Sequence, residues 1–237
     1  MTQRRDLVHG QLNEVPAPLA LEALNSRWAL AQESDFGSDV DVLNYALTLE
    51  YLEATFYQQG NAAGLLSGQA ARYLRKVQSD EEYHVKAITQ TIHKLGGKPA
   101  AKPKVQFGDA FDSKTKYLTT SFTFENVGVG AYLGAAGFLT HKSVLQAAAG
   151  IFGVEARHAA IVANLLGKPA EGGVYMGAFE TPQTKDKVLH EVAPFIMPSG
   201  GMATGGGSTA GVEDKTLFGV GGAAVAGAGA AAYYAHH

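Results

Sequence analysis

One pattern of acidic, phenolic and imidazole side chains occurs twice along the chain. A glutamate is followed seven residues later by a tyrosine, and a Glu-x-x-His motif follows 31 residues after the glutamate in the first copy and 30 in the second. In chain order the members are Glu50, Tyr57, Glu81, His84, Glu125, Tyr132, Glu155 and His158. Four carboxylates and two imidazoles in this order are the ligand set of a two-metal site inside a four-helix bundle.

Helical geometry explains the spacing. Residues three apart lie on one face of a helix, so Glu81 and His84 can bind the same ion, and the second Glu-x-x-His pair can do the same. Residues seven apart are nearly in line, which puts Tyr57 and Tyr132 on the faces of Glu50 and Glu125. A tyrosine there can donate a hydrogen bond to a carboxylate of a facing helix and orient it. Two plainer interpretations stay open: core aromatics for the tyrosines and a solvated face for any single Glu-x-x-His.

Charge determines what such a cluster needs. Four carboxylates buried without a cation repel one another strongly in a medium of low dielectric constant. Two divalent ions carry +4 against −4, so the bundle core is neutral in the metal-loaded form. Mixed carboxylate and imidazole ligation suits iron or manganese, and zinc less well. The sequence therefore predicts a cofactor of two divalent ions, Fe or Mn.

Composition narrows the function classes. Apolar residues make up 46% of the 237 residues, enough for a core, and the net charge of −3 gives no sign of a nucleic-acid partner. The chain has no cysteine, which excludes disulfides, iron–sulfur clusters, thiolate zinc sites and thiol catalysis.

Hydrophobic periodicity predicts four helices, at 40–59, 67–95, 117–139 and 143–166, with Gly60–Gly64 ending the first. The glycines of the third, Gly128, Gly130, Gly134 and Gly137, are expected to allow close helix–helix approach. Residues 98–116 form a long connection between two hairpins with short loops. The predicted fold is all-α: an antiparallel four-helix bundle with one long crossover.

Three regions follow from this pattern: an N-terminal arm at 1–37 with a short helix across 17–32, the bundle at 38–169, and a C-terminal extension at 170–237. In the extension, segments of regular secondary structure are predicted to be at most five residues long, and a Gly/Ala-rich tail follows them. Residues 217–235 are uncharged but mostly Gly and Ala, so we predict tight packing and homo-oligomer formation through the tail rather than a membrane span. No export signal is predicted, and we expect a cytoplasmic protein.

Four stretches resemble the ferritin-like superfamily: DVLNYALTLEYLEATFY, DEEYHV, FENVGVGAYLGAAG and AAAGIFGVEARHAAIVANLLG. Within it they look like bacterial ferritin-like domain proteins related to plant desiccation-related proteins. The resemblance covers about residues 38–169. It implies that the six Glu and His residues of the repeated pattern match the di-metal ligands, with the two tyrosines beside them.

Several functions fit these expectations. One is redox chemistry on oxygen or peroxide in stress protection: iron oxidation, peroxide removal or manganese-catalase-like disproportionation. Another is a structural or assembly role in which the metal site is stabilising or vestigial. A third, weaker interpretation is an oxygenase with a substrate pocket beside the metals. Among neighbouring residues, Glu53 and Glu82 are expected at the solvent or the rim of the site, although Glu53 is close enough to replace Glu50, and His93 is expected on the surface.

Overall fold

A computed structural model of the chain describes residues 35–175 and 177–197. Within these residues five α-helices follow one another: α1 (Asp39–Ala62), α2 (Gly68–Lys94), α3 (Lys114–Ala135), α4 (Lys142–Leu165) and α5 (Lys185–Val192). Short 3-10 turns extend α3 at Ala136–Phe138 and α5 at Ala193–Phe195. Helix α1 packs along α2 and α3 along α4, with the long connection 95–113 between the two hairpins. The predicted all-α, ferritin-like four-helix bundle with one long crossover is confirmed.

Local sequence signals explain where the long helices begin and end. The Ser38 side chain accepts a hydrogen bond from the backbone N–H of Asp41 at 3.2 Å, and Ser113 caps α3 in the same way. Gly96 and Gly167 follow the ends of α2 and α4 with φ of 76° and 70°, a left-handed conformation that favours glycine. The similar segments KLGGKPA and LLGKPA thus end both hairpins by the same backbone geometry.

The core is aromatic around Phe56 of α1. Its ring lies 4.9–5.3 Å, centroid to centroid, from five other aromatic rings, which come from α1, the crossover and α3. They are Tyr57, Phe107, Phe111, Tyr117 and Phe124. A second apolar cluster contains Leu47 of α1 with Ile88 and Ile92 of α2. The crossover is therefore part of the core and not merely a surface connection.

Helix α1 ends at Ala62, inside the predicted break at Gly60–Gly64 but three residues beyond the predicted last residue, 59, because the helix continues through Gly60. A Cβ atom at Gly60 would lie 2.2 Å from the ring of Tyr117. Gly60 thus provides space for an aromatic ring of α3 inside a regular helix, and Gly64, with φ of 68°, follows the helix end.

Residues 182–197 pack against the bundle and correct two further expectations. Segments of secondary structure after residue 170 were expected to be at most five residues long, yet helix α5 has eight residues. The glycines of the third helix were expected to allow close helix–helix approach, and Gly128 does lie against side chains of α1 and α4, but Gly130 and Gly134 do not face a helix. Instead, the backbone N–H of Gln183 donates to the Gly130 carbonyl at 2.9 Å, and a Cβ at Gly134 would lie 1.9 Å from the Gln183 carbonyl oxygen. An extended segment uses the space that these two glycines leave.

Asp39, at the start of α1, joins α1 to the α3–α4 connection. Its carboxylate is 5% exposed and accepts hydrogen bonds from the backbone N–H groups of Thr140 and His141 at 2.9 and 3.0 Å. The Thr140 hydroxyl and the His141 ring contact the same carboxylate at 2.8 Å. Burial by itself would raise the pKa of Asp39, but these hydrogen bonds outweigh it and lower the pKa to about 2.

No helix in the described part of the chain is both long and apolar enough to cross a membrane. The expected helix at 17–32 and the Gly/Ala-rich tail lie outside the described residues, as does the proposed self-association through that tail. The division into an arm at 1–37, a bundle at 38–169 and an extension at 170–237 stays a prediction.

Replacing Gly134 by alanine should destabilise the fold by about 1–3 kcal/mol, because the new methyl group overlaps backbone that cannot rotate away. Gly150, within α4, is a matched control, since a Cβ there meets nothing within 4 Å. Gly150→Ala should be neutral or stabilising by up to about 1 kcal/mol. Urea unfolding of both variants in one metal state measures the difference. Equal stability of the two would contradict the close approach of Gln183.

Replacing Asp39 by asparagine should cost on the order of 1–2 kcal/mol at neutral pH. Because the folded pKa is depressed, the stabilisation is present above the ordinary aspartate pKa of 3.8 and is lost as pH falls through about 2. Unfolding curves at several pH values should therefore show the difference between wild type and variant shrinking between about pH 4 and pH 2. A difference independent of pH would mean that the carboxylate charge is not what stabilises this connection.

Candidate metal centre

The six predicted ligands come from all four long helices and meet in the bundle interior. Helix α1 contributes one glutamate, α3 another, and α2 and α4 each contribute a Glu-x-x-His pair. The four carboxylate residues are 0% exposed, and the two histidines are buried as well. In order of helix they are Glu50, Glu81, His84, Glu125, Glu155 and His158. The structure thus brings together every residue that the repeated pattern singled out.

The cluster divides into two overlapping sets of four residues. Glu50 and His84 belong to one set, Glu125 and His158 to the other, and Glu81 and Glu155 to both. Within each set one ligand atom from every residue lies within 4.8 Å of the others. Two ions held in this way would share two carboxylates from facing helices, and each ion would have its own glutamate and histidine.

Both imidazoles direct Nδ1 at the carboxylates. His84 Nδ1 lies 3.0 Å from Glu81 and 3.3 Å from both Glu50 and Glu155. His158 Nδ1 lies 2.9 Å from Glu81 and 3.4 Å from a carboxylate oxygen of α3. Because Nδ1 of each ring faces several oxygens at once, it points to the position that a shared cation would take.

Unpaired polar atoms support a cation in this position. Six buried atoms of the cluster, five carboxylate oxygens and one imidazole nitrogen, lack a hydrogen bond of acceptable geometry. They are Glu50 Oε2, Glu81 Oε1, Glu125 Oε2, both carboxylate oxygens of Glu155, and His158 Nδ1. Buried acceptors are normally satisfied, and here they are lone-pair donors of the type that iron and manganese prefer. The residues present therefore fit a pair of divalent ions.

The two tyrosines connect opposite hairpins at this centre. The Tyr57 hydroxyl of α1 donates to Glu125 of α3, and the Tyr132 hydroxyl of α3 donates to Glu50 of α1. Burial and the neighbouring carboxylate raise both phenol pKa values well above their usual range, so each tyrosine stays a donor. The tyrosines therefore fix the two carboxylates that are not shared between the sets. Their role beside a bound metal stays a prediction.

The outer nitrogen of one histidine also has a partner. His158 Nε2 lies 3.4 Å from Asp80, whose carboxylate in turn pairs with Lys76. Asp80 immediately precedes Glu81, and the equivalent position before Glu155 is Val154. A carboxylate on the outer nitrogen holds an imidazole in one orientation, so the two histidines differ in how they are supported.

Protons take the place of cations in the metal-free cluster. Burial raises the pKa of Glu50 to about 8 although His84 opposes the shift, and burial together with Glu81 raises the pKa of Glu155 well above its usual range. For the histidines, burial alone would lower the pKa, but the carboxylates raise it to about 12 for His84 and about 11 for His158. Burial by itself would raise the pKa of Glu81, but its contacts with the two histidine rings lower the pKa to about 2. Metal ions entering the site must therefore displace protons.

The expectation that Glu53 lies at the solvent or the rim of the site is wrong. It was expected to face the solvent or the rim, and it is 4% exposed. Burial, followed by the nearby Glu155 and Glu81, raises the pKa of Glu53 well above its usual range. Glu82 and His93 are exposed as expected. The spacing of three residues from Glu50 was the signal for Glu53, but the pattern alone did not decide which way the side chain points.

Comparison with known proteins bears on the fold. The model of the ferritin-like domain family matches residues 38–168. Among solved structures, the chain resembles a bacterioferritin-related protein from Bacteroides fragilis, described as a dodecameric thioferritin. The identity is 22%, the TM-score is 0.44, and the match covers 62% of this chain and 93% of the other. No curated protein matches the chain.

Replacing Tyr57 by phenylalanine should lower metal affinity about 10- to 100-fold, because Glu125 loses the donor that orients it. Tyr117→Phe is the matched control: its ring packs 6.3 Å from that of Tyr57, but its hydroxyl donates to Asn61. Competition titrations with a chelating dye measure both affinities. An equal loss in both variants would indicate that packing, and not the hydrogen bond to Glu125, controls metal binding.

Proposed function

Because the chain belongs to the ferritin-like domain family, we propose that it is a di-metal carboxylate protein that binds two iron or manganese ions in the bundle core. We further propose that it carries out redox chemistry on oxygen or peroxide in stress protection. The relation to desiccation-related proteins, the cytoplasmic location and the homo-oligomeric state stay predictions.

The observation that carries the proposal is the sharing of Glu81 and Glu155 between two four-residue sets. Shared carboxylates allow two cations to lie close together, because each bridging oxygen pair offsets the repulsion between them. The count of charges agrees, since four carboxylates balance two divalent ions. A single-ion site would leave at least one of these sets of buried acceptors unsatisfied.

Each residue has a distinct role in this proposal. Glu81 and Glu155 would bridge the ions, while Glu50 with His84 and Glu125 with His158 would complete the two coordination shells. Two adjacent redox-active ions supply a pair of electrons to a small oxidant such as oxygen or peroxide. The hydroxyl groups of the tyrosines hold the unshared carboxylates in place, and full burial keeps bulk water away from the cluster.

The surroundings favour a small substrate over an organic one. Two small cavities occur in the described part of the chain: one is lined by Phe36, Gly134 and Gln183, and the other by Leu43, Leu49 and Tyr132, the tyrosine that donates to Glu50. Neither is lined by any of the six proposed ligands. Oxygen and peroxide need little space beside the ions, which is why we prefer them to the substrate of an oxygenase.

The alternative is a structural or assembly protein whose metal site is stabilising or vestigial. The complete burial of the four carboxylates favours it, since a closed polar core can bind ions without exchanging substrate. In that case metal binding would raise thermal stability, but oxidant would not be consumed. A protein with a stabilising metal site would therefore have the same metal content as the redox protein and differ from it in turnover.

The proposal is tested by metal content and oxidant consumption in the same preparation. Native purification should give about two iron or manganese ions per chain by elemental analysis, with consumption of oxygen or peroxide. Glu81→Ala should abolish both, because it removes a ligand of both ions. Glu82→Ala is the control, since Glu82 is adjacent but exposed and contacts Gln78.

The possible outcomes separate the functions. Two ions with oxidant consumption support the redox protein, and two ions without it support the structural alternative. A wild-type protein that takes up neither iron nor manganese when both are supplied would contradict the redox protein and a stabilising metal site, and would leave only the structural role with a vestigial site.

A further inference from the structure

The cavity that Tyr132 lines is formed where the two hairpins meet. Its walls come from α1, α3, the α3–α4 connection and α4. They consist of eight aliphatic side chains and two tyrosines, with no charged residue among them. About 20 Å³ is free for the centre of a water-sized molecule, which is room for about one small molecule. A cavity with such walls favours an apolar occupant over water.

Two residues bring the inner end of this cavity to a proposed metal ligand. Tyr132 lines the cavity, and its hydroxyl donates to Glu50. Ala46, which also lines the cavity, stands one helical turn before Glu50 on α1. One side chain therefore lies between the free space and a carboxylate of the centre.

The equivalent tyrosine of the first hairpin is packed differently. Tyr57 is 0% exposed and lines neither cavity, and the rings of Phe56 and Tyr117 lie 5.3 and 6.3 Å from its own, centroid to centroid. Tyr132 is 9% exposed, and its cavity is also lined by the small side chains of Ala131 and Ala135. In the part of the chain that the structure describes, aromatic rings pack against one tyrosine and free space adjoins the other.

The outer end of the cavity is marked by exposure. Eight of the ten lining residues are buried, and the other two, Leu139 and Ala148, are partly exposed. Leu139 belongs to the α3–α4 connection and Ala148 to α4. The side chain of Ala148 is a single methyl group, so a larger residue there would fill the opening.

The lining discriminates between the two oxidants considered above. Hydrogen peroxide has two O–H donors and lone pairs on both oxygens, which water satisfies. In this cavity the Tyr132 hydroxyl is already bonded to Glu50, and the Tyr45 hydroxyl alone lacks a hydrogen-bond partner. Peroxide would lose most of its hydrogen bonds on entering, whereas dioxygen has none to lose.

We propose that this cavity admits dioxygen to the metal centre, entering past Ala148 and Leu139 and ending at Tyr132 beside Glu50. Dioxygen, and not peroxide, is then the substrate that the fold selects. This proposal rests on the proposed di-metal function and names the substrate of that site.

Occupancy can be measured in the metal-free protein. Dissolved oxygen is paramagnetic, so under oxygen pressure it broadens the NMR signals of methyl groups next to the places it occupies. The methyl groups of Ala46 and Ala131, 6% and 2% exposed, should broaden more strongly than those of Ala71 and Ala110, which are 8% and 3% exposed and line neither cavity. Equal broadening of the two pairs would overturn the proposal.

Blocking the opening tests the route to the centre. Ala148→Leu should remove the extra broadening and lower the rate constant of the anaerobically Fe²⁺-loaded protein with oxygen at least about tenfold, while the rate with peroxide changes by less than about threefold. Iron affinity should stay the same, which shows that the variant is folded. Ala147→Leu is the matched control, because Ala147 is the exposed neighbour on α4 and lines neither cavity. It should change none of these values.

A smaller substitution guards against a packing defect in the first variant. Ala148→Val should give an oxygen rate between those of the wild type and Ala148→Leu. Wild-type oxygen rates in both variants, or equal slowing of oxygen and peroxide, would overturn the proposal. So would wild-type iron that reacts with peroxide but not with oxygen. A wild-type chain that binds no iron would instead contradict the proposed di-metal function, and the NMR comparison, which needs no metal, separates the two failures.

Discussion

Repulsion between buried carboxylates is the constraint on which this bundle depends. Five glutamates lie in an interior that is otherwise packed with aromatic and aliphatic side chains, and the two imidazoles cannot neutralise them all. In the metal-free state protons supply the missing positive charge, because burial raises the pKa of Glu50 and the neighbouring carboxylates raise the pKa values of His84 and His158. A cation pair supplies it with better geometry, because lone pairs that have no hydrogen-bond donor then have a partner.

The rest of the architecture holds this charge in place. Helical hairpins place a Glu-x-x-His pair on α2 and another on α4, and the tyrosine hydroxyls connect α1 to α3 across the centre. The aromatic cluster around Phe56 includes rings of the crossover, so the long connection packs the same core that the ligands come from. Capped helix ends and the Asp39 contacts fix where each helix begins.

Much of this was predictable, because it depends on local periodicity. Four helices, one long crossover and six converging side chains follow from spacings of three, four and seven residues. What the sequence could not decide depends on contacts between distant residues. Glu53 points inward because Gly128, 75 positions later, leaves space for it, and Gly134 faces the Gln183 backbone and not a helix. Glycine is a residue type that commonly ends a helix, but Gly60 lies inside α1 and leaves space for the ring of Tyr117. Local patterns carry no information on such pairs.

The two hairpins carry the same spaced pattern of ligands, and the places near the centre where they differ have an evolutionary consequence. In a symmetric dimer of separate identical hairpins, every replacement would appear on both sides of the two-fold axis. Glu53 opposite Gly128, and Asp80 in the position that Val154 takes in the second copy, therefore require two sequences able to diverge independently. A single chain that carries both hairpins meets that requirement, so that one side of the centre can change without altering the other.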